Sequence, residues 1–194
     1  MTPDEAFPNA AAPRNPIQRG SVTDLIPVVA PDGSLVPGEK LDVHRQGLLH
    51  LAVSIFVFVK DRILIQRRAA RKYHCGGLWA NSCCTHPHWG EDVAPAAARR
   101  LKEELGLSAP LRLGGALTYR ADVGQGLVEH ERVQAYYSVL DLQDLTLDPN
   151  PAEVSGIRLI PVDQLRTEAK SQPAKFAPWL LIYLDRWSEL RLPY

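Results

Sequence analysis

Residues 51–59, LAVSIFVFV, constrain the fold of this chain more than any other segment. The run is β-branched and aromatic, which predicts a strand that has to be buried. With its flanks it spans residues 48–60, is interrupted by His50 and Ser54, and is too short to cross a bilayer. RILIQ at residues 62–66 follows a Lys60-Asp61 step, so the two runs predict a hairpin.

Downstream the period changes. Residues 92–105 place Ala94, Ala97, Ala98, Leu101 and Leu105 at helical spacing, with Pro95 in the first turn, where its missing N–H is harmless, and Gly106 as the stop. Residues 116–121 and 128–140 read as strands with Gly124 and Gly126 between them. A short strand at 156–160, a short helix at 161–168 and an amphipathic helix at 179–190 complete the pattern. The last carries Trp179, Leu180, Tyr183, Leu184 and Trp187. Strands interspersed with helices predict an α/β sandwich with a mixed sheet.

At 194 residues and 45% hydrophobic content, the chain suits one core rather than two. We assign residues 21–194 to a single domain and residues 1–20, rich in Pro and Ala and without an apolar secretory core, to a flexible leader. Lys plus Arg and Asp plus Glu balance at 22 each, so no overall field draws in nucleic acid or an anionic membrane. The three cysteines, Cys75, Cys83 and Cys84, make a poor disulfide framework and fit a reducing, cytoplasmic setting.

Three segments carry chemistry. The first, GGLWANSCCTHP at residues 76–87, crowds Cys84 and His86 into a Gly-opened, Pro-closed stretch. The thiol reads as a nucleophile, an acid or half of a metal site, against the plainer reading of a buried Cys beside a solvent-facing His. No second Cys-x-x-Cys or Cys-x-His pair exists to complete a structural zinc module. Cys75 and Cys83 read as packing residues, Cys83 pointing away from Cys84 in an extended segment.

The second segment, RRLKEELGL at residues 99–107, sets Arg100 and Glu104 four apart on one helix face. That pairing suits a metal-bridged phosphate and equally suits an ordinary surface ion pair. In the third, Glu129-His130-Glu131, strand alternation puts both carboxylates on one face, where they repel unless a cation or a proton lies between them. Leu127 and Val133 turn that face inward. His44, His50 and His86 add imidazoles that could join the two glutamates around a divalent ion, whereas His74 and His88 find no partner in the sequence.

Residues 76–87, the helix end at 99–107, the Glu129-His130-Glu131 triplet and Phe176-Ala177-Pro178-Trp179 together resemble the type 1 isopentenyl diphosphate isomerases of the Nudix superfamily. The resemblance covers about residues 40–187 and implies an α/β/α sandwich with a mixed sheet. It also implies that Cys84 and Glu131 are catalytic, on opposite sides of the isoprenoid, and that His44, His50, His86, Glu129 and Glu131 bind a divalent metal, Mn²⁺, Mg²⁺ or Zn²⁺. Glu104 would serve a second, diphosphate-associated Mg²⁺. Lys40, Arg68, Lys72 and Arg100 match diphosphate-binding positions; Trp179 lines the hydrocarbon pocket with Tyr119, a phenol also placed among the catalytic groups. The partner implied is a small isoprenoid diphosphate, turned over by a monomer or weak homodimer with no membrane insertion.

The chain departs from the superfamily's hydrolytic motif in two places. Thr85 stands where that motif has a glycine and Arg100 where it has a second glutamate, while Glu91, Arg99, Glu103, Glu104 and Gly106 remain. An arginine in place of a carboxylate favours holding a diphosphate over cleaving it. A Nudix pyrophosphohydrolase is the competing enzyme reading, and a binding domain with a purely structural metal cluster is the non-enzymatic one.

Overall fold

A computed structural model of the chain describes residues 25–194, so the leader assigned to residues 1–20 lies outside the described residues. Strand β1 (Leu25–Val29) and strand β2 (Leu35–Glu39) lead into the short helix α1 (Lys40–Gln46). The apolar run forms β3 (His50–Val59), and all ten of its residues are buried. That accounts for a run without alternation: both faces of the strand are covered.

One edge of β3 pairs in parallel with β8 (Leu127–Leu140), from His50↔Glu131 to Val59↔Leu140. The other edge is shared in succession by β1, by β6 (Cys83–Thr85) and by β4 (Arg62–Arg68). The expected hairpin is present, with Lys60 in the left-handed region at φ 54°, yet β3 and β4 pair only near the turn. Beyond Leu64 the strands part, and β4 continues with β5 (Trp79–Ala80) on one side and β9 (Val154–Pro161) on the other.

Asn81 and Ser82 wedge into the opening. The Ser82 hydroxyl accepts from the Val57 N–H at 2.8 Å and donates to the Leu64 carbonyl at 2.6 Å; Asn81 Nδ2 donates to the Ile55 carbonyl at 3.0 Å; Gln66 Nε2 donates to the Ser82 carbonyl at 2.8 Å. These buried side chains replace the ladder bonds lost where the sheet splits. The split creates the cleft described below.

Each face of the sheet has its own core. Ala52, Phe56 and Phe58 of β3 pack with Ile63, Ile65 and Val133 beneath α3 (Val162–Ser171) and α4 (Pro178–Asp185). Val53, Ile55 and Val57, with Leu64 and Cys83, meet Ala97, Leu101 and Leu105 of α2 (Val93–Leu105). Helices on both faces of a mixed sheet form the predicted α/β/α sandwich. Gly106 ends α2 in the left-handed region at φ 66°, and a Cβ there would come within 2.6 Å of the Asp148 side chain.

Three sequence expectations change. The strand at 116–121 is the middle of a longer β7 (Arg112–Gly124), paired antiparallel with β8. The single helix at 179–190 is instead α4 followed, after non-helical backbone at Arg186, by a 3₁₀ turn, Trp187–Leu190; Trp179, Leu180, Tyr183, Trp187 and Leu190 still all face the core. Strands β1 and β2 and helix α1 were not anticipated. Among the described residues, no helix is long and apolar enough to cross a membrane.

Candidate active site and metal centre

Strand register brings the candidate residues to one place. Cys84 pairs with Ser54 across one edge of β3, and Glu131 pairs with His50 across the other. Paired residues on neighbouring strands share a face, and Ser54 and His50 are four apart, so both groups stand on the side covered by α4. Tyr119 and Ala121 of β7 lie opposite Glu131 and Glu129 on that side. Cys83 belongs to the core under α2, so the two adjacent cysteines do point apart. A cleft at this face is lined by Lys40, Arg68, Lys72 and Arg100 with Cys84, His86, Glu104, Glu129, Glu131, Tyr119 and Trp179.

The histidines converge at its floor. His44 reaches in from α1, His50 from the start of β3 and His86 from just beyond β6. One ring nitrogen of each, with one oxygen of Glu129, forms a group whose atoms all lie within 4.8 Å of one another. His44 Nδ1 donates to the Lys40 carbonyl at 2.6 Å and His50 Nδ1 to the Leu48 carbonyl at 2.8 Å. Carbonyls only accept, so these bonds fix which nitrogen carries hydrogen and aim both Nε2 atoms inward.

The donor set fits a cation. His50 Nε2 lies 3.1 Å from His86 Nε2, which itself lies 2.9 Å from Glu131 Oε1. His44 Nε2 and Glu129 Oε2 face each other at 3.4 Å, and neither makes a hydrogen bond although both are buried. Facing lone pairs and orphaned buried acceptors are costly without a positive centre among them. Imidazoles with a carboxylate suit a borderline divalent metal.

The two glutamates are driven apart in proton affinity. Burial would raise Glu129, but the surrounding imidazoles of His44, His50, His74 and His86 outweigh that and hold it well below the usual carboxylate range. Burial and then the Glu129 charge push Glu131 well above that range. Glu131 accepts from the Tyr119 hydroxyl at 2.7 Å, and burial, then the neighbouring Glu131 charge, keeps that phenol neutral far above its ordinary pKa. Burial also lowers His86, to about 4, and lowers His50.

Cys84 is held as a neutral thiol rather than a thiolate. Burial pushes its pKa up to about 12, with Ser54 and Asn81 pulling only partly against it. Its thiol donates to Asn81 Oδ1 at 2.9 Å and lies 3.2 Å from the Ser54 hydroxyl, which in turn donates to Tyr183 at 2.8 Å. A nucleophilic thiol needs the opposite shift, which argues against the nucleophile and zinc-thiolate readings.

The remaining candidates form a second, cationic rim. Glu104 stands apart from the histidine group: it accepts from Gln66 Nε2 at 2.8 Å and pairs with Arg100. Lys72 pairs with Glu153, which also lies 3.6 Å from Arg100. The Arg68 guanidinium sits 5.1 Å from the centre of the Trp179 ring.

Two residues here escaped the sequence reading. His74, expected to have no partner, is buried with Nε2 3.0 Å from Glu129 Oε1. Glu153 neutralises two of the candidate phosphate-binding cations. Each meets its partner only in the folded chain, so no spacing could signal either.

Comparison with known proteins agrees with this architecture. The NUDIX domain model matches residues 48–180. An isopentenyl-diphosphate Delta-isomerase of Cereibacter sphaeroides (strain KD131) is 48% identical over 169 residues, covering 87% of this chain and 94% of the relative. The isomerase of the same name from Rhodobacter capsulatus is 46% identical over 163 residues, covering 84% and 92%. Among solved structures, DR0079 from Deinococcus radiodurans superposes with a TM-score of 0.68 at 16% identity, covering 84% of this chain and 98% of that one. The MutT protein from Methanosarcina mazei gives 0.58 at 11%, covering 72% and 93%. These distant structures share the fold, whereas the close relatives share the sequence over nearly their whole length. The chain belongs to the NUDIX family and, within it, to the isopentenyl-diphosphate Delta-isomerases.

Proposed function

We propose that this chain interconverts isopentenyl diphosphate and dimethylallyl diphosphate in isoprenoid biosynthesis, acting in the cytoplasm as a monomer or weak homodimer. The observation that carries the reading is the pair of groups able to exchange a proton that flank β3 within one cleft. A neutral thiol, Cys84, stands on one edge and the Glu131–Tyr119 pair on the other. The likeness to named isomerases supports it further.

The reaction adds a proton to the terminal carbon of the alkene, giving a tertiary cation, and removes a different proton from the carbon nearer the diphosphate. Cys84 and Glu131 exchange these protons from the two sides of the hydrocarbon, and because the reaction reverses, both cycle. Tyr119, hydrogen-bonded to Glu131, relays a proton or steadies the carboxyl. Trp179 offers its π face to the developing cation, worth about 2 kcal/mol when water is excluded. Lys40, Arg68, Lys72 and Arg100 hold the diphosphate, and Glu104 would support a Mg²⁺ bound to it. His44, His50, His86, Glu129 and Glu131 would hold a divalent ion, Mn²⁺, Mg²⁺ or Zn²⁺, whose charge lets both carboxylates stay ionised side by side.

The test is incubation of the purified protein with isopentenyl diphosphate and Mg²⁺, following both the allylic isomer and free phosphate. Isomer without phosphate is expected. Phosphate without isomer would transfer the chain to the pyrophosphohydrolases. Cys84→Ala should lower isomerisation by at least about 1,000-fold with fold and metal content unchanged, and full activity in that variant would remove Cys84 from the chemistry.

A further inference from the structure

His74 lies in the loop between β4 and β5, outside the group of His44, His50, His86 and Glu129 whose donor atoms draw together. Its ring is nonetheless buried, at 3% exposure, and held from three sides. Tyr73 meets it edge-on at 4.3 Å between ring centres, Trp179 meets it edge-on at 5.7 Å, and His44 stacks at 6.0 Å. A ring so confined has a fixed direction, and it points Nε2 at Glu129 Oε1, 3.0 Å away.

The two oxygens of Glu129 consequently have different surroundings. Oε2 faces His44 Nε2 at 3.4 Å and His50 and His86 Nε2 at 3.8 Å each, and makes no hydrogen bond. Oε1 is met instead by His74 Nε2. An ionised carboxylate oxygen only accepts, so His74 Nε2 carries the hydrogen. Its Nδ1 is then the bare nitrogen, in keeping with its being buried without a hydrogen-bond partner.

We infer that His74 is a positioning residue for the metal centre: by occupying Oε1, it limits Glu129 to one donor oxygen and fixes the direction of that oxygen. A carboxylate without such a partner can swing and present both oxygens to a cation, which changes the coordination number and the space left for the other ligands. His74 also packs against Trp179, so the group that orients the metal ligand borders the wall of the hydrocarbon pocket. Hydrogen-bond partners of this kind alter metal affinity by about 10- to 100-fold when removed.

The inference rests on reading the histidine and glutamate group as a metal centre, and Co²⁺ tests both without substrate. Metal-free native protein, His74→Phe and His74→Gln would be titrated with Co²⁺, with affinity from chelator competition and geometry from visible absorption. Phe keeps the ring packing and loses the N–H donor; Gln loses the ring and keeps a donor. Circular dichroism of the metal-free proteins establishes that each variant is folded.

We expect His74→Phe to bind Co²⁺ about 10- to 100-fold more weakly, with weaker absorption bands as Glu129 adds its second oxygen. His74→Gln should stay within a few-fold of native with the native spectrum. Native affinity and spectrum in His74→Phe would overturn the inference, as would equal losses in both variants, which would make the ring itself a ligand. Native protein that binds no Co²⁺ would overturn the metal-centre reading and this inference with it, an outcome distinct from a native protein that binds Co²⁺ indifferently to residue 74.

Discussion

The two charged clusters of the cleft differ in how far the protein satisfies them by itself. The histidine and glutamate floor has more acceptors than donors: an orphaned Glu129 oxygen, facing imidazole nitrogens and two carboxyls that resist sharing a charge state. The rim at the end of α2 has its carboxylates paired, although Arg68 Nε and Arg100 Nε are buried without a hydrogen-bond partner. Arg100 pairs with Glu103 and Glu104, Lys72 with Glu153, and Gln66 completes Glu104. Such a floor could hold a positive ion, as the proposed function requires. The rim is arranged to exchange partners, which suits a substrate that has to leave.

The largest effect expected from breaking this contrast comes at Glu131. Its pKa in the folded chain is raised, so its contribution to stability is present below the unfolded value near 4.5 and is lost as pH rises through the folded value. In metal-free protein at neutral pH it is therefore a cost. Glu131→Gln should lower isomerisation by roughly 1,000-fold while leaving the metal-free melting temperature equal or higher. Calorimetry beside the isomer assay checks this, and a large loss of metal-free stability would show that the floor is self-sufficient after all.

Arg100→Gln should do the reverse in the fold. It leaves the buried Glu104 without its cation, a loss of about 3 kcal/mol, the low end for a buried pair because Arg100 is partly exposed, that lowers the melting temperature by several degrees with or without metal. Urea denaturation would measure it, and an unchanged midpoint would mean that Gln66 alone suffices for Glu104.

The smallest effect is expected at Glu153. Burial works against its charge, but Lys72, then Arg100 and Arg68, hold its pKa below the ordinary value. That contribution is present above about pH 4.5 and is lost as pH falls through the lowered folded value. Glu153→Gln should cost about 1 kcal/mol or less at neutral pH and nothing in acid. It should also lower KM for the diphosphate substrate a few-fold, since Lys72 and Arg100 lose a competing anion. A raised KM would make Glu153 a positioning group rather than a competitor.

How far these clusters could be read in advance depended on the range of their contacts. The β3 run, the period of α2 and the alternation around Glu129 and Glu131 are local patterns, and all three reappear in the structure. β1 and β2 carry Pro27, Pro37 and Gly38, residues that lower a strand reading and that short peripheral strands tolerate. Helix α1 has seven residues, too few for a period to stand out, although it supplies His44. The single helix expected at 179–190 extrapolated one apolar stripe, and that stripe is present in Trp179, Leu180, Tyr183, Trp187 and Leu190, with Asp185, Ser188 and Glu189 exposed; what spacing does not signal is the departure from helical geometry at Arg186. His74 and Glu153 acquire meaning only from partners far along the chain. Asn81 and Ser82 lay inside a segment already singled out, but their task, bridging a split between two strands, has no counterpart in residue spacing.

The parallel pairing of β3 with β8 carries a consequence for how the molecule comes into being. His50 and Glu131 face each other in register, yet about 80 residues separate them along the chain. Joining them means closing a long loop before any reward from the pairing arrives, which slows folding. The metal centre straddles this junction, so an ion cannot be gripped by all its ligands until the slow step is complete. Binding should therefore act as a late latch: adding the ion should slow unfolding far more than it speeds folding.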